Sequence, residues 1–465
     1  MRVEEARADY LATLVDQQSW PKMPMEEIAD VNPRVDKASI PDDLQVSFVP
    51  MPAVGAADGS IHVEETRPAG EVKKGFTAFL EGDVLFAKIT PCMENGKMAV
   101  VPALVNGYGF GSTEFHVLRP KSGMDAKYLY YYVSSQTFRS EAERHMTGAV
   151  GQRRVQTTYL KECKIPVAPL DQQKRIVAEI EKQFSRLDEA VANLKRVKAN
   201  LKRYKAAVLK AAVEGRLVET EAELARREGR SYETGEQLLQ RILETRRSQW
   251  QGKGKYKEPA APDTTDLPEL PEGWVWCSGA QFFEWASGEG LTEKNQRPGP
   301  YPVYGGNGIS GHHDEYFVEE PTIVVGRVGA HCGNVYVTKP KCWITDNAIY
   351  AKSFPSDVPL EYLQIVFERA GLNDIAAGSG QPFVNQRMLN EVSVPLSPLH
   401  EQHRIVAEVD RRLSLLREIE TQVDANHRRA ERLRQSVLSN AFSCAGGHRT
   451  HIHKKLRSSA ERLGT

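Results

Sequence analysis

The sequence predicts an α+β protein: two globular mixed α/β domains separated by two long helices that form an antiparallel coiled coil, with internal pseudo-two-fold symmetry. Three observations predict it. "LDQQKRIVAEI" at 170–180 returns as "LHEQHRIVAEV" at 399–409, an offset of 229 (Leu170 to Leu399), with seven of the first ten aligned residues identical. Each phrase opens about 43 residues free of Gly and Pro, in which apolar residues recur every seven. Each is preceded by short β-branched and aromatic runs broken by Gly and Pro, the pattern of short strands and turns.

The first globular stretch carries "DVLFAKI" (83–89) and "EFHVLRP" (114–120), and the second "TIVVGRV" (322–328) and "NVYVTKP" (334–340). Each closes on a helical pattern, "AKYLYYYVSSQTF" (126–138) and "LEYLQIVFERA" (360–370). Pro169 and Pro398 then end an extended segment and bar earlier helix, with Asp171 a fitting N-cap in the first copy. Ile180, Leu187, Leu194, Leu201 and Val208 form the predicted seam of the first long helix, with Ile176, Ala190, Val197, Tyr204 and Ala211 beside it. Val409, Leu416, Val423, Ala430 and Val437 form that of the second. Helices of this length span roughly 65 Å, more than a small domain covers, so packing on each other explains them best. Between them lie a further helix, "GEQLLQRILETRRSQW" (235–250), and the Pro-rich "KEPAAPDTTDLPELPEG" (257–273).

Composition narrows the class. The 465 residues hold 61 Lys+Arg against 61 Asp+Glu, so no net field attracts a polyanion, although a basic face remains possible. "MRVEEARADY" is charged from the start, unlike a signal peptide, and no apolar run approaches the roughly 18–20 residues that cross a bilayer. Six cysteines (92, 163, 277, 332, 342, 444) without a CxxC suggest reduced thiols and a cytoplasmic protein with no membrane association.

Catalytic signatures are missing. No GxxxxGK[ST], HExxH, GxSxG or Asp/Asn-Pro-Pro-aromatic motif occurs. The Gly-rich "ASGEG" (286–290) and "YGGNGISG" (304–311) do not open a strand–turn–helix unit that cradles phosphate. His312, His313, His331, Cys332 and Cys342 fit no zinc frame, so no metal is expected. The tail "GGHRTHIHKKLRSS" reads as disordered.

Polar and basic residues in turns are what remains. Lys88 ends "VLFAK", with Asn95 and Lys97 in the "ENGK" that follows, and Arg327 ends "IVVGR", with Asn334 in "HCGN" at nearly the same distance. "GQRR" (Gln152, Arg153, Arg154) and "GQPFVN" (Gln381, Asn385) close the two stretches. Lys and Arg neutralise phosphates, while Arg, Asn and Gln contact base edges in pairs, so these ten are candidate DNA contacts; the plain alternative is solvated loops. Residues 195–216 add eight Lys or Arg against one Glu, a solvated face or a surface for phosphate or an acidic partner.

With these residues in view, the chain resembles the specificity subunit of Type I restriction–modification systems over nearly its full length. "FLEGDVLFAKITPCMENGK" (79–97), "PLDQQKRIVAEI" (169–180), "ELPEGWVW" (269–276), "YPVYGGNGISG" (301–311), "PTIVVGRVGAHCGNVY" (321–336), "WITDNAIY" (343–350) and "PLHEQHRIVAEV" (398–409) carry the resemblance. It implies a first target recognition domain at 1–168, a central conserved helical region and linker at 169–265, a second recognition domain at 266–397, a distal conserved helix at 398–444 and a basic tail at 445–465. Each recognition domain would read one half of a split double-stranded DNA target. The helices would dock two methyltransferase subunits in a complex with restriction/translocase subunits that serves phage defence. The chain would be non-catalytic and hold no cofactor, S-adenosylmethionine, ATP and Mg²⁺ being used by the partners. The competing readings are a coiled-coil protein-binding scaffold and a modification-only or related phage-defence system.

Overall fold

The computed structural model describes residues 20–149, 151–252, 254–373, 376 and 382–443; the basic tail lies outside the described residues. The chain divides into two compact units, Met1–Lys195 with Asp424–Thr465, and Arg196–Val423. The division falls inside both long helices, because each helix packs its two ends into different cores.

The first unit contains β1 (Lys22–Pro24), β2 (Ala29–Val31), β3 (Gln45–Val49), β4 (Thr66–Pro68), β5 (Thr77–Leu80), β6 (Val84–Ala87), β7 (Met98–Val100), β8 (Tyr108–Gly111) and β9 (Phe115–Pro120). There follow α1 (Ala126–Ser134), α2 (Gln136–Arg144), β10 (Met146–Thr147), β11 (Arg154–Val155), α3 (Thr157–Glu162), β12 (Lys164–Pro166) and the N-terminal part of α4 (Leu170–Val213), whose residues from Arg196 on belong to the second unit. Two four-stranded sheets form, in the orders β2-β9-β6-β7 and β4-β3-β8-β5, and β1 pairs antiparallel with β12. The apolar run of β6 is buried on both faces: Val84 and Phe86 join one core and Leu85 and Ala87 another, the period of two that a strand imposes. The single helix expected over 126–138 is broken at Ser135, whose extended backbone (ψ 146°) stops α1 while its hydroxyl accepts the Phe138 N–H and starts α2.

The second unit contains α5 (Glu221–Glu228), α6 (Gly235–Ser248), β13 (Val275–Ser278), β14 (Glu284–Ser287), β15 (Tyr301–Gly305), β16 (Gly308–His313), β17 (Ile323–Gly326), β18 (Val335–Val337), β19 (Trp343–Ile344) and β20 (Ala348–Ser353). α7 (Leu360–Arg369), α8 (Gln386–Glu391), β21 (Ser393–Leu396) and the N-terminal part of α9 (Leu399–Ser443), up to Val423, complete it. Its main sheet, β14-β20-β17-β18, repeats β2-β9-β6-β7, and β13-β21 repeats β1-β12. The repeat reaches individual bonds. Tyr128 donates its hydroxyl proton to Pro166 O (2.9 Å) and Tyr362 to Pro395 O (3.1 Å). Buried Gln173 donates to Ala168 O, and buried Gln402 to Ser397 O, both at 2.7 Å. One bond does not repeat. Gln173 Oε1 accepts the N–H of Asp125, the N-cap of α1, whereas Gln402 Oε1 has no donor, because Pro359 caps α7 and has no N–H.

Within each unit the long helices run antiparallel. In the first, Ile176, Val177, Ile180 and Phe184 of α4 share a core with Val437, Leu438, Ala441 and Phe442 of α9, and Arg434 lies over the Phe184 ring (4.3 Å) while pairing with Asp188. In the second, Val208, Leu209 and Ala212 share a core with Ile405 and Val409. The heptad line is the buried one: Ile180, Leu201, Val208, Val409, Leu416, Val423, Ala430 and Val437 are buried, and Leu187 and Leu194 half-buried. The flanking line differs. Ile176 is buried and Ala211 half-buried, but Ala190 is exposed, as are Val197 (38%) and Tyr204 (47%), because two helices alone cover only a narrow stripe of each other.

A buried carboxylate anchors the start of α9. Glu401 accepts the Trp274 indole N–H (3.1 Å) and the Glu221 backbone N–H (2.8 Å), beside a Glu221 side chain held by Arg404 and Arg230 (2.6 Å each). Burial pushes the Glu401 carboxyl up to about 7, against its hydrogen bonds and Arg404. A pKa raised on folding contributes stability at low pH that is lost as pH rises through it. The second unit is therefore expected to melt lower at pH 8 than at pH 6. Glu401→Gln, which matches Gln172 in the first repeat, is expected to flatten that dependence; a pH-independent wild-type melting temperature would contradict the assignment.

Candidate nucleic-acid interface

The central strands β6 and β17 each run directly into a basic residue, Lys88 and Arg327. The two are seated by the same pair of backbone bonds. Lys88 N–H donates to Glu114 O and Lys88 O accepts from Val155 N–H; Arg327 N–H donates to Asn347 O and Arg327 O accepts from Val384 N–H, all at 2.9 Å. Val155 and Val384 are 229 residues apart, so the "GQRRV" segment, and the described part of its counterpart, lie against these strand ends in both units. Both side chains are half-buried and make no hydrogen bond or ion pair among the described residues. A strand end held on two sides gives each cation a fixed base while its head stays free.

Around Lys88 lies a groove of about 370 Å³, lined by Asn32, Arg34, Lys37, Thr77, Lys88 and Thr157 among others. Its lining holds three cations and no carboxylate. His116, also in the lining, adds little positive charge at neutral pH. It is buried, which pushes its pKa down, and its Nε2 donates to Val155 O (2.9 Å) while Nδ1 faces the Asn32 amide (3.0 Å). In the second unit a groove of about 390 Å³ is formed by Thr292, Glu293, Gln296, the β15–β16 turn, Thr345 and Asn347, whose carbonyl accepts the Arg327 N–H.

The remaining candidates differ in how far their side chains are occupied. Asn95 and Gln152 are exposed, and neither side chain has a hydrogen bond among the described residues. Lys97 donates to Val54 O (2.9 Å) and Met51 O (3.2 Å), tying down the 51–54 turn. Arg154 grips Glu114 with two nitrogens (3.0 and 2.9 Å), which holds the Glu114 carboxyl below its ordinary range. Arg153 pairs with Glu143 (3.3 Å). Asn334 donates to Tyr336 Oη (3.1 Å), and Asn385 Oδ1 caps α8 by accepting the Met388 N–H (3.0 Å). Gln381 lies outside the described residues. Sequence reading passed over Arg34, Lys37, Gln296, Asn307 and Asn347, which only the folding of distant loops brings beside Lys88 and Arg327. Among the described residues no three His, Cys, Asp or Glu side chains converge as a metal site, and no helix is long and apolar enough to cross a membrane.

The Type I restriction modification DNA specificity domain model matches residues 17–203 and 271–425. Relatives include two Escherichia coli proteins, the specificity subunits of the Type I restriction enzymes EcoAI and EcoEI. They are 28% and 26% identical over 462 and 477 residues, each comparison covering 84% of this chain and 77% of the relative. The fold is also that of a chain solved in work on complex assembly and conformational transition of the type I R-M system. That chain has a TM-score of 0.65 and 19% identity, over 91% of this chain and 97% of the other. With both repeats matched, the chain belongs to the family of Type I restriction–modification DNA specificity proteins.

Proposed function

We propose that this chain is the sequence-reading, non-catalytic subunit of a cytoplasmic Type I restriction–modification complex, each unit contacting one half of a bipartite duplex target. The observation that carries the reading is the matched seating of Lys88 and Arg327, two cations at equivalent strand ends beside open grooves, neither with a side-chain hydrogen bond or ion pair among the described residues. A free, fixed cation next to a groove suits the phosphates and base edges of DNA. Two methyltransferase subunits and the restriction/translocase subunits would be the partners, and S-adenosylmethionine, ATP and Mg²⁺ would serve their chemistry. The purified chain is then expected to bind duplex DNA with an affinity that falls steeply with salt, and to methylate nothing by itself. Salt-insensitive binding to protein and none to DNA would favour a protein-binding scaffold instead.

The long helices supply a surface for the partners. Val197 and Tyr204 on α4 and Leu415 and Ile419 on α9 are exposed apolar side chains between 37% and 53% accessible. Val197→Asp with Leu415→Asp is expected to reduce assembly with a co-expressed methyltransferase subunit at least tenfold, read by light scattering, with little change in melting temperature. Full assembly by the double variant would remove this surface from the account.

A further inference from the structure

We propose that the groove at the tip of the β15–β16 hairpin is the base-reading surface of the second unit, and that its side-chain amides select A·T pairs; this rests on the DNA-reading function above. The hairpin turns on Gly306 and Asn307 between the paired Gly305 and Gly308, and Gly308 takes φ +85°. Three glycines at the tip leave the backbone open to close approach by a ligand. The tip abuts the end of β17, since a Cβ on Gly326 would lie 2.6 Å from Gly306 O, so the groove opens beside Arg327.

Two features make the groove a site for bases. The first is an unpartnered group. Thr345, only 5% exposed, lines the groove, and its Oγ1 has no hydrogen-bond partner among the described residues. A buried hydroxyl without a partner is unfavourable, so this wall of the groove carries an unmet polar group, although the oxygen itself is closed off from solvent. The second is charge. The lining contains no Lys or Arg and one carboxylate, Glu293, whereas the groove of the first unit holds Arg34, Lys37 and Lys88. A lining without a cation of its own is poorly suited to phosphate, so phosphate contacts fall to Arg327 at its rim and the groove itself suits base edges.

The side chains narrow the choice of base. Gln296, Asn307 and Asn347 line the groove, and their amides make no hydrogen bond among the described residues. Gln296 is seated by a glycine: a Cβ on Gly311 would stand 1.9 Å from Gln296 Oε1. A carboxamide offers one donor and one acceptor side by side, the complement of adenine N6 and N7 in the major groove. Ile309, 48% exposed in the same groove, provides the apolar contact that suits a thymine methyl.

The test is selection from a random duplex library by the full-length chain co-purified with its methyltransferase subunits, followed by sequencing. The wild type is expected to enrich two blocks. Asn307→Ala, Asn347→Ala and Asn347→Asp, which keeps the shape but not the donor, are each expected to reduce the A·T preference at one or two positions of one block about tenfold or more. The other block, the melting temperature and the salt dependence of non-specific binding should stay as they were. Intact preference in both blocks overturns the proposal. So does a uniform loss of affinity across sequences, which would make these phosphate contacts, or a loss confined to G·C positions. Failure of the wild type to enrich any sequence would instead overturn the DNA-reading function itself.

Discussion

Ile180→Asp is expected to unfold the first unit. Ile180 is fully buried where α4 meets α9, in one core with Phe184, Val437, Leu438 and Phe442. The substitution removes an apolar side chain from a filled site and leaves a carboxylate in its place. Deleting the side chain alone costs about 2–5 kcal/mol, and burying an unpaired charge adds to it, so the sum reaches the roughly 5–15 kcal/mol by which domains are stable. Ile180→Val, which removes one methylene, is expected to cost about 1 kcal/mol. Val197→Asp, on an exposed position of the same helix, is expected to stay within about 0.5 kcal/mol. Thermal unfolding followed by circular dichroism separates the three. Equal melting temperatures for Ile180→Asp and Val197→Asp would show that the heptad line is not the packed face.

Removing the two seated cations should produce the largest change in DNA binding. Lys88→Ala is expected to weaken recognition of one half-site and Arg327→Ala of the other. Each lost base contact costs about 1–3 kcal/mol, roughly five- to 150-fold in affinity for the cognate duplex. Both substitutions leave the backbone bonds to Glu114, Val155, Asn347 and Val384 in place, so melting temperatures should hardly move. Competition binding with duplexes altered in one half-site at a time gives the answer. If either substitution lowered affinity for cognate and random duplexes alike, the residue would be a phosphate contact that positions the protein without specifying sequence.

Much of this fold is legible in the sequence because its strongest signals are local. A 229-residue repeat, a seven-residue apolar period and four β-branched runs locate α4, α9, β6, β9, β17 and β18 within a few residues. What escaped depends on distance along the chain. β3 pairs in parallel with β8 across about 60 residues (Ser47 with Gly109), and nothing in "QVSFV" or "YGFG" announces that partner. The glycines of "YGGNGISG" invite comparison only with a phosphate cradle, yet they form the β15–β16 turn, and Gly311 makes room for Gln296. The site divides in the same way. Sequence placed Lys88 and Arg327 at matching strand ends. It did not show that Lys97 is held by Val54 O or Arg154 by Glu114, because those acceptors lie 43 and 40 residues away. Sequence made Asn385 a candidate DNA contact, whereas its side chain caps α8, the position an Asn directly before a short helical run favours.

The central claim is that two equivalent units in one chain read two separate pieces of one duplex. The measurement that tests it most directly is library selection and sequencing with the wild type, Lys88→Ala and Arg327→Ala, each assembled with its methyltransferase subunits. The predicted result is a motif of two specified blocks flanking an unspecified gap, with each substitution eroding a different block and sparing the other. A single continuous motif, or erosion of the same block by both substitutions, would contradict it.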